Sequence, residues 1–195
     1  MGNNPSLPSF AFGLAWVALL PACQNQDNII QAARFGDLEK LSDCIESGIP
    51  VDHADPVGET PLFHIIGAGS EKAFELLMAN GADIRLRDGQ GNTTLHKAVT
   101  FGRREFALQL IERGLDINAT NKVGATALHY AVRSGNLGMV EFLVEKGAKV
   151  EVKNADGISP AEVAQAMSGQ EGISGPMGRP ISKKQMNKIM SALTK

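Results

Sequence analysis

The stretch that decides the fold is residues 91–123, "GNTTLHKAVTFGRREFALQLIERGLDINATNKV". Leu95 and Ala98 lie three positions apart, as residues on one face of a short helix do, and Gly102 ends that helix. A second set of apolar residues then follows at helical spacing: Phe106, Ala107, Leu110 and Ile111. Gly114 can end the second helix in the left-handed conformation, which costs other residues free energy. The stretch therefore predicts two short helices joined by a glycine turn.

The same glycine spacing runs through most of the chain. Three series of four glycines recur every 33 residues: Gly36, Gly69, Gly102 and Gly135; Gly48, Gly81, Gly114 and Gly147; Gly58, Gly91, Gly124 and Gly157. A fixed period of this length is typical of tandem repeats, which bury a continuous core by stacking on one another.

Each unit also carries a motif that resembles the T-P-L-H-x-A signature of the ankyrin repeat, a unit of two short antiparallel helices and a projecting turn. The copies are "TPLFHI" at 60–65, "TTLHKA" at 93–98, "TALHYA" at 126–131, "SPAEVA" at 159–164 and a degenerate "DNIIQA" at 27–32, in which Asp27 replaces the capping threonine. The resemblance covers residues 27–167 and implies an all-α solenoid of about four and a half repeats. It also implies that His96 and His129 are framework residues whose rings bond to backbone near the turns. The chain departs from the motif at Phe63, which takes the usual histidine position.

The chain after residue 167 does not follow the repeat. Residues 168–180 form a loop rich in glycine and proline, and residues 181–195 predict an amphipathic helix. Ser182 and Gln185 have the spacing of a capping box. The apolar stripe of this helix comprises Met186, Ile189, Met190 and Leu193. We expect the helix to cap the last repeat; the alternative is a basic helix that docks on anionic lipid or on a partner.

The N-terminal stretch "FAFGLAWVALLPACQNQ", residues 10–26, precedes the repeats. Its apolar run has the length of the hydrophobic region of a secretory signal. "LPAC" at 20–23 resembles the bacterial lipobox, which implies that residues 1–22 are removed, that Cys23 becomes lipidated and that residues 23–26 are a tether. Gln24 is similar to the second residue of lipoproteins sorted to the outer membrane. We therefore expect a protein of the bacterial periplasm, anchored to the outer membrane by lipid.

Two other interpretations of the N-terminus stay open. The leader has no Lys or Arg, and Pro21 is unusual in a lipobox. Met1, Gly2 and Ser6 match the pattern for N-myristoylation. The apolar run could instead be a helix buried against the first repeat, with Trp16 in the core, which favours a cytoplasmic protein. If Cys23 is lipidated, Cys44 is a free thiol, buried at a position that is leucine in later repeats.

The sequence contains no pattern that indicates catalysis. It has neither a Walker loop nor a G-x-S-x-G elbow, and the histidines lack partners at metal-ligand spacing. The net charge of −2 shows no excess of basic residues for binding nucleic acid. No apolar run is long enough for a membrane-spanning helix. We expect no enzyme, no cofactor, no metal and no nucleic-acid partner.

Binding to another protein is what the resemblance implies, through the projecting turns and the concave face of the first helices. The candidate partner-binding residues are Arg34, Phe35, His64, Gln90, Asn92, Lys97, Phe101, Lys122, Tyr130 and Arg133. Aromatic residues and arginine are frequent hot spots of interfaces. The sharpest hypothesis is an immunity protein that inhibits a secreted toxic hydrolase, such as a lipase, in the envelope. The alternatives are a periplasmic scaffold or stress-protection protein, and a cytosolic or secreted adaptor.

Overall fold

The computed structural model describes residues 25–169, 174 and 180–194. Within these ranges the chain forms helices and no strand. The first helices of successive units are α1 (Asp27–Phe35), α3 (Pro61–Ala68), α5 (Thr94–Thr100), α7 (Ala127–Arg133) and α9 (Pro160–Ser168). The second helices are α2 (Leu38–Glu46), α4 (Glu71–Ala79), α6 (Arg104–Glu112), α8 (Leu137–Glu145) and α10 (Lys183–Leu193). In the described part of the chain, no helix has the length and apolar character needed to span a bilayer.

All twelve glycines of the three series have positive φ, and no other described residue does. These glycines therefore set the ends of the helices and the tips of the turns. Gly58 shows a second constraint, because a Cβ atom built on it would lie 2.6 Å from the backbone nitrogen of Gly89 in the next unit. Glycine recurs at these positions because the backbone conformation requires it and, at Gly58, because the next repeat lies too close for a side chain.

The helix pairs stack in chain order and share one continuous core. First helices pack on first helices, from α1 to α9, while α4 packs on α2 in the second layer. The rings of Phe74 and Phe106 meet at 5.0 Å between centroids and so join α4 to α6. The all-α solenoid expected from the sequence is confirmed.

The turns between units form a ladder of backbone bonds. The amide of Gly89 donates to the carbonyl of Val57 at 2.8 Å, and the equivalent bond from Lys122 to Gln90 measures 3.0 Å. Each turn is also held by an Asp or Asn side chain; Asp88, for example, accepts from the amides of Gln90 at 2.9 Å and Asn92 at 2.8 Å. The projecting turns are therefore ordered parts of the fold and can present side chains at fixed positions.

His96 and His129 tie neighbouring units together, as the resemblance implied. Nδ1 of His96 accepts from the amide of Thr93 at 3.2 Å, and Nε2 lies 3.0 Å from the carbonyl oxygen of Ala125 in the next unit. His129 repeats this arrangement, with Nε2 3.1 Å from the carbonyl oxygen of Ile158. Because Nδ1 accepts from an amide, Nε2 carries the hydrogen that is donated to the carbonyl.

In the unit of α3, Phe63 occupies the position of these histidines and is fully buried. The hydroxyls of Thr93 and Thr126 each pair with a histidine ring at 2.9 Å. The hydroxyl of Thr60 has no such ring beside it, and it is buried without a hydrogen-bond partner. Replacement of the histidine by phenylalanine accounts for this unpaired group.

The C-terminal helix α10 packs against α9 and α8. It buries Met186, Ile189, Ala192 and Leu193. Ile181, just before the helix, lies over Gly135, as Ser70 lies over Gly36. Helix α10 thus takes the place of the second helix of a fifth repeat and covers the end of the stack, as expected from its apolar stripe.

Three details differ from the expectations. Asp27 is the first residue of α1, and Gln26 stands at the N-cap. The capping box at Ser182 is only half formed, because the Gln185 side chain donates to the carbonyl of Gly135 instead. Cys44 is buried as expected, but it is disulfide-bonded and so is not a free thiol.

Candidate binding groove

A groove of about 410 Å³ crosses the units of α3, α5 and α7 on the side of the first helices and turns. We call it the concave groove. Six of the ten predicted partner-binding residues line it: Gln90, Asn92, Lys97, Phe101, Tyr130 and Arg133. The structure adds Val57 and Glu59 to the same wall, which the sequence reasoning did not select. The groove is therefore assembled from equivalent positions of three successive repeats.

Three of the predicted binding residues, Lys97, Tyr130 and Asn92, are partly engaged in ties between units. The Lys97 ammonium pairs with the Glu59 carboxylate of the preceding unit. At the equivalent step, the Tyr130 hydroxyl donates to Oδ1 of Asn92 at 3.1 Å. Asn121 donates to the same Oδ1 at 2.8 Å. These side chains hold the groove in shape, and only their outer surfaces can meet a partner.

The groove also presents apolar side chains that stay partly exposed and one cation without an ion pair among the described residues. Phe101 keeps 36% of its surface exposed and Val57 keeps 63%. The Arg133 guanidinium lies 5.0 Å from the centre of the Tyr130 ring, and it forms no ion pair with the described residues. Stacking on an aromatic ring positions the guanidinium without neutralising its charge. The concave groove therefore offers a partner both apolar surface, from Val57 and Phe101, and the positioned charge of Arg133.

His64 lies beside the groove in a small cluster of charged groups. Its Nε2 is 3.0 Å from Oδ2 of Asp55, and its Nδ1 is 3.7 Å from Oε2 of Glu59. Burial alone would raise the pKa of the Asp55 carboxyl, but bonds from the amides of Glu59 and Val57 and from His64 hold that pKa below its ordinary value. Sequence spacing did not reveal this cluster, since Asp55 is nine residues from His64.

Three such donors could hold a metal ion by distance alone. Two of the groups have other partners, however. Glu59 is neutralised by Lys97, and Oδ1 of Asp55 accepts the amides of Val57 and Glu59 in its own turn. A cation here would have to compete with the ammonium group of Lys97, which links Glu59 to the next unit.

The other predicted binding residues lie outside the concave groove. The Lys122 ammonium donates to the carbonyl of Gly89 at 2.7 Å and so closes the preceding turn. Arg34 and Phe35 lie at the end of α1, where Phe35 is 78% exposed. Phe35 lines a separate groove of about 330 Å³ at the N-terminal end of the stack. The structure does not bring these residues together with Phe101 and Arg133. Cys23, the predicted lipidation site, is outside the described residues.

Stacked helix pairs with ordered turns and a groove across three units define a repeat protein of the binding class. Comparison with protein families agrees with this architecture. A family model for ankyrin repeats in three copies matches residues 29–121, and one for ankyrin repeats in many copies matches residues 110–164. The chain belongs to the ankyrin-repeat family and is a protein–protein interaction module. This family is generally non-catalytic. No curated protein matches the chain.

Proposed function

We propose that the concave groove grips one protein partner. The observation that carries this proposal is the set of exposed groups on a rigid wall: Val57 and Phe101 offer apolar surface, and Arg133 offers a charge held by Tyr130. Rigid side chains lose little conformational entropy on binding, so such a surface can support tight association. The ties of Lys97 and Asn92 keep the wall in place before a partner arrives.

The more specific proposal is an immunity protein of the bacterial envelope, whose partner is a secreted toxic hydrolase such as a lipase. Two features support work outside the cytoplasm. The apolar run at residues 10–20 has the length of a signal segment. Cys44 is disulfide-bonded, and disulfides persist mainly in oxidising compartments. Inhibition by covering an active site needs tight binding and no chemistry, which suits a non-catalytic fold, and we expect the purified protein to show no hydrolase activity. A periplasmic scaffold and a cytosolic adaptor are the competing functions.

The means of anchoring is a separate proposal. The lipobox-like residues 20–23 favour a lipid on Cys23. The disulfide at Cys44 argues against this lipid. Cys23 is the only other cysteine of the sequence, and one sulfur atom cannot form both a disulfide and a bond to a lipid. The mass of the mature N-terminal peptide distinguishes the two, and neither result changes the concave groove.

The test is affinity capture of the tagged protein from solubilised cell envelopes at native expression level, with mass spectrometry of the captured proteins. We expect one stoichiometric secreted hydrolase, and loss of that activity when the two proteins are mixed. Arg133→Ala should weaken binding about tenfold or more, as removal of an interface arginine does. Arg85→Ala is the matched control, because Arg85 is exposed and outside the groove. Equal capture by both variants would rule out this groove, and a catch of many weak partners would favour a scaffold or adaptor.

A further inference from the structure

Two helices in the layer of second helices carry opposite charge, and they lie at opposite ends of the described stack. The charged residues of α10 are all positive: Lys183, Lys184 and Lys188. Those of α2 are mostly negative, with one lysine against Glu39, Asp43 and Glu46. The stack therefore has a basic end and an acidic end on one layer.

The lysines of α10 line a groove of about 800 Å³ between α10 and α8, together with Glu141 of α8. The apolar stripe of α10 faces the core, so Lys184 and Lys188, on the opposite side of the helix, face solvent. None of the three lysines forms an ion pair with a described residue. Lys183 and Lys184 also stand in the first turn, where the helix dipole disfavours cations. The groove therefore carries positive charge that the described protein does not neutralise.

The acidic residues of α2 form a face of their own. Glu39, Asp43 and Glu46 recur at the spacing of one helix face. That face lies opposite Leu41 and Cys44, which are buried. Glu39 and Glu46 are exposed, and none of the three carboxylates forms an ion pair with a described residue. Because like charges at this spacing destabilise a helix, this face also lacks a counter-charge.

The positions of these two helices suit a contact with a second copy of the chain. Helices α2 and α10 belong to the same layer, with α4, α6 and α8 between them. When two copies meet through this layer in antiparallel orientation, α2 of each copy lies against the groove of the other. Such a pairing is two-fold symmetric and closes as a dimer. A parallel pairing would bring α10 against α10 and α2 against α2, which the like charges oppose.

We propose that the protein forms an antiparallel dimer, in which the acidic face of α2 docks on the basic groove between α8 and α10 of a second copy. A bilayer fits this groove less well, because the apolar residues of α10 are in the core and cannot insert into lipid. The concave groove is lined by first helices and turns, so the dimer leaves it accessible. Exposed ion pairs each contribute little. The dimer is therefore weak, and ionic strength controls it.

The first test is sedimentation velocity of the full-length protein over a range of concentrations at low and high salt. From about 0.01 M to about 1 M salt, the screening length of charges falls from about 30 Å to about 3 Å. We expect a monomer–dimer equilibrium whose dissociation constant rises about tenfold or more over this range. A monomer under all conditions would overturn the proposal. Association that salt does not weaken, or growth beyond a dimer, would overturn it too.

The second test reverses the charges of one face at a time. The pair Lys184→Glu and Lys188→Glu should abolish the dimer, and so should the pair Glu39→Lys and Glu46→Lys, because each brings like charges into contact. An equimolar mixture of the two variants should form a dimer again, since each face then meets one of opposite charge. This recovery also shows that both variants are folded. A mixture that stays monomeric would refute the pairing of α2 with α10.

The matched control reverses two lysines outside both faces. Lys149 and Lys153 are exposed in the connection between α8 and α9, and Lys149→Glu with Lys153→Glu changes the net charge by the same amount. We expect this variant to dimerise as the wild type does, and an equal loss would show that net charge alone controls association. Binding of the monomer to phosphatidylglycerol vesicles, lost only in the α10 variant, would assign the lysines to lipid and overturn the proposal. Failure of partner capture would leave these results unchanged.

Discussion

The two framework histidines should make the stability of the protein depend on pH. His96 and His129 are buried, and burial lowers the pKa of each ring below the ordinary value, against the opposing effect of the bonds to Ala125 and Ile158. A proton on Nδ1 would also oppose the amide that donates to it. The unfolded chain takes up a proton at each histidine as the pH falls through about 6.5, while the folded protein does so only at lower pH. The contribution of the two neutral rings to the free energy of unfolding is therefore fully present above about pH 7, and it decreases as the pH falls.

The magnitude follows from the number of protons. Each buried ring costs up to about 1.4 kcal/mol of unfolding free energy per pH unit, so both together cost up to about 2.7 kcal/mol between about pH 7.5 and pH 5.5. Urea unfolding at a series of pH values measures this slope. The control is the double variant His96→Phe and His129→Phe, since Phe63 shows that the fold accepts phenylalanine at this position.

The comparison isolates the two rings because His53 and His64 remain in both proteins. The lowered pKa values of Asp37, Asp55 and Glu162 act at lower pH, where carboxyl groups titrate. We expect the double variant to be less stable near neutral pH, because the amides of Thr93 and Thr126 lose their acceptors. It should also lose most of the pH slope. Equal slopes in the two proteins would show that the rings are not held neutral by the fold.

Two further substitutions test the contacts between units. Gly58→Ala and Gly81→Ala place a side chain at the same φ of 83°, but only at Gly58 does the new Cβ meet the backbone of the next unit. We expect Gly81→Ala to lower the free energy of unfolding by about 1–2 kcal/mol and Gly58→Ala to lower it clearly more. Equal losses of Tm would contradict the close approach. Arg103→Met removes the bonds from its guanidinium to the carbonyls of Gly67 and Ala68 at the end of α3. We expect a loss of about 1 kcal/mol by urea unfolding, and an unchanged midpoint would mean that water replaces those bonds.

Much of the fold could be predicted because the glycine period is a local property. A residue with positive φ is nearly always glycine, so twelve periodic glycines mark helix ends directly. The signature motif likewise places His96 and His129, since their bonds recur at the same separation in each unit.

The engagement of the candidate binding residues could not be predicted in the same way. Lys97 looked available in sequence, yet it pairs with Glu59, 38 residues earlier, and Tyr130 reaches Asn92 across the same separation. The period aligns equivalent positions, but it does not show which non-equivalent side chains meet between units. Lys122 is also engaged, because its ammonium donates to the carbonyl of Gly89, 33 residues earlier in the preceding turn.

The disulfide at Cys44 escaped the sequence analysis for a different reason. Cys44 occupies a core position that is leucine in other repeats, so its burial alone explained it. A lipid on Cys23 would also have removed the only other cysteine from consideration. A disulfide at one cysteine leaves no mark in a periodic pattern.

The packing of Ile181 on Gly135 bears on how such a stack can change in length. Inside the array the backbone joint is repeated, since the ladder bond between Val57 and Gly89 recurs at Gln90 and Lys122. A duplicated 33-residue unit inserted there would meet neighbours of the same shape on both sides. A unit appended after α9 would instead have to displace Ile181 and α10 from the surface they bury. Additional repeats can therefore be inserted between existing repeats more readily than after α9, where α10 would have to be displaced.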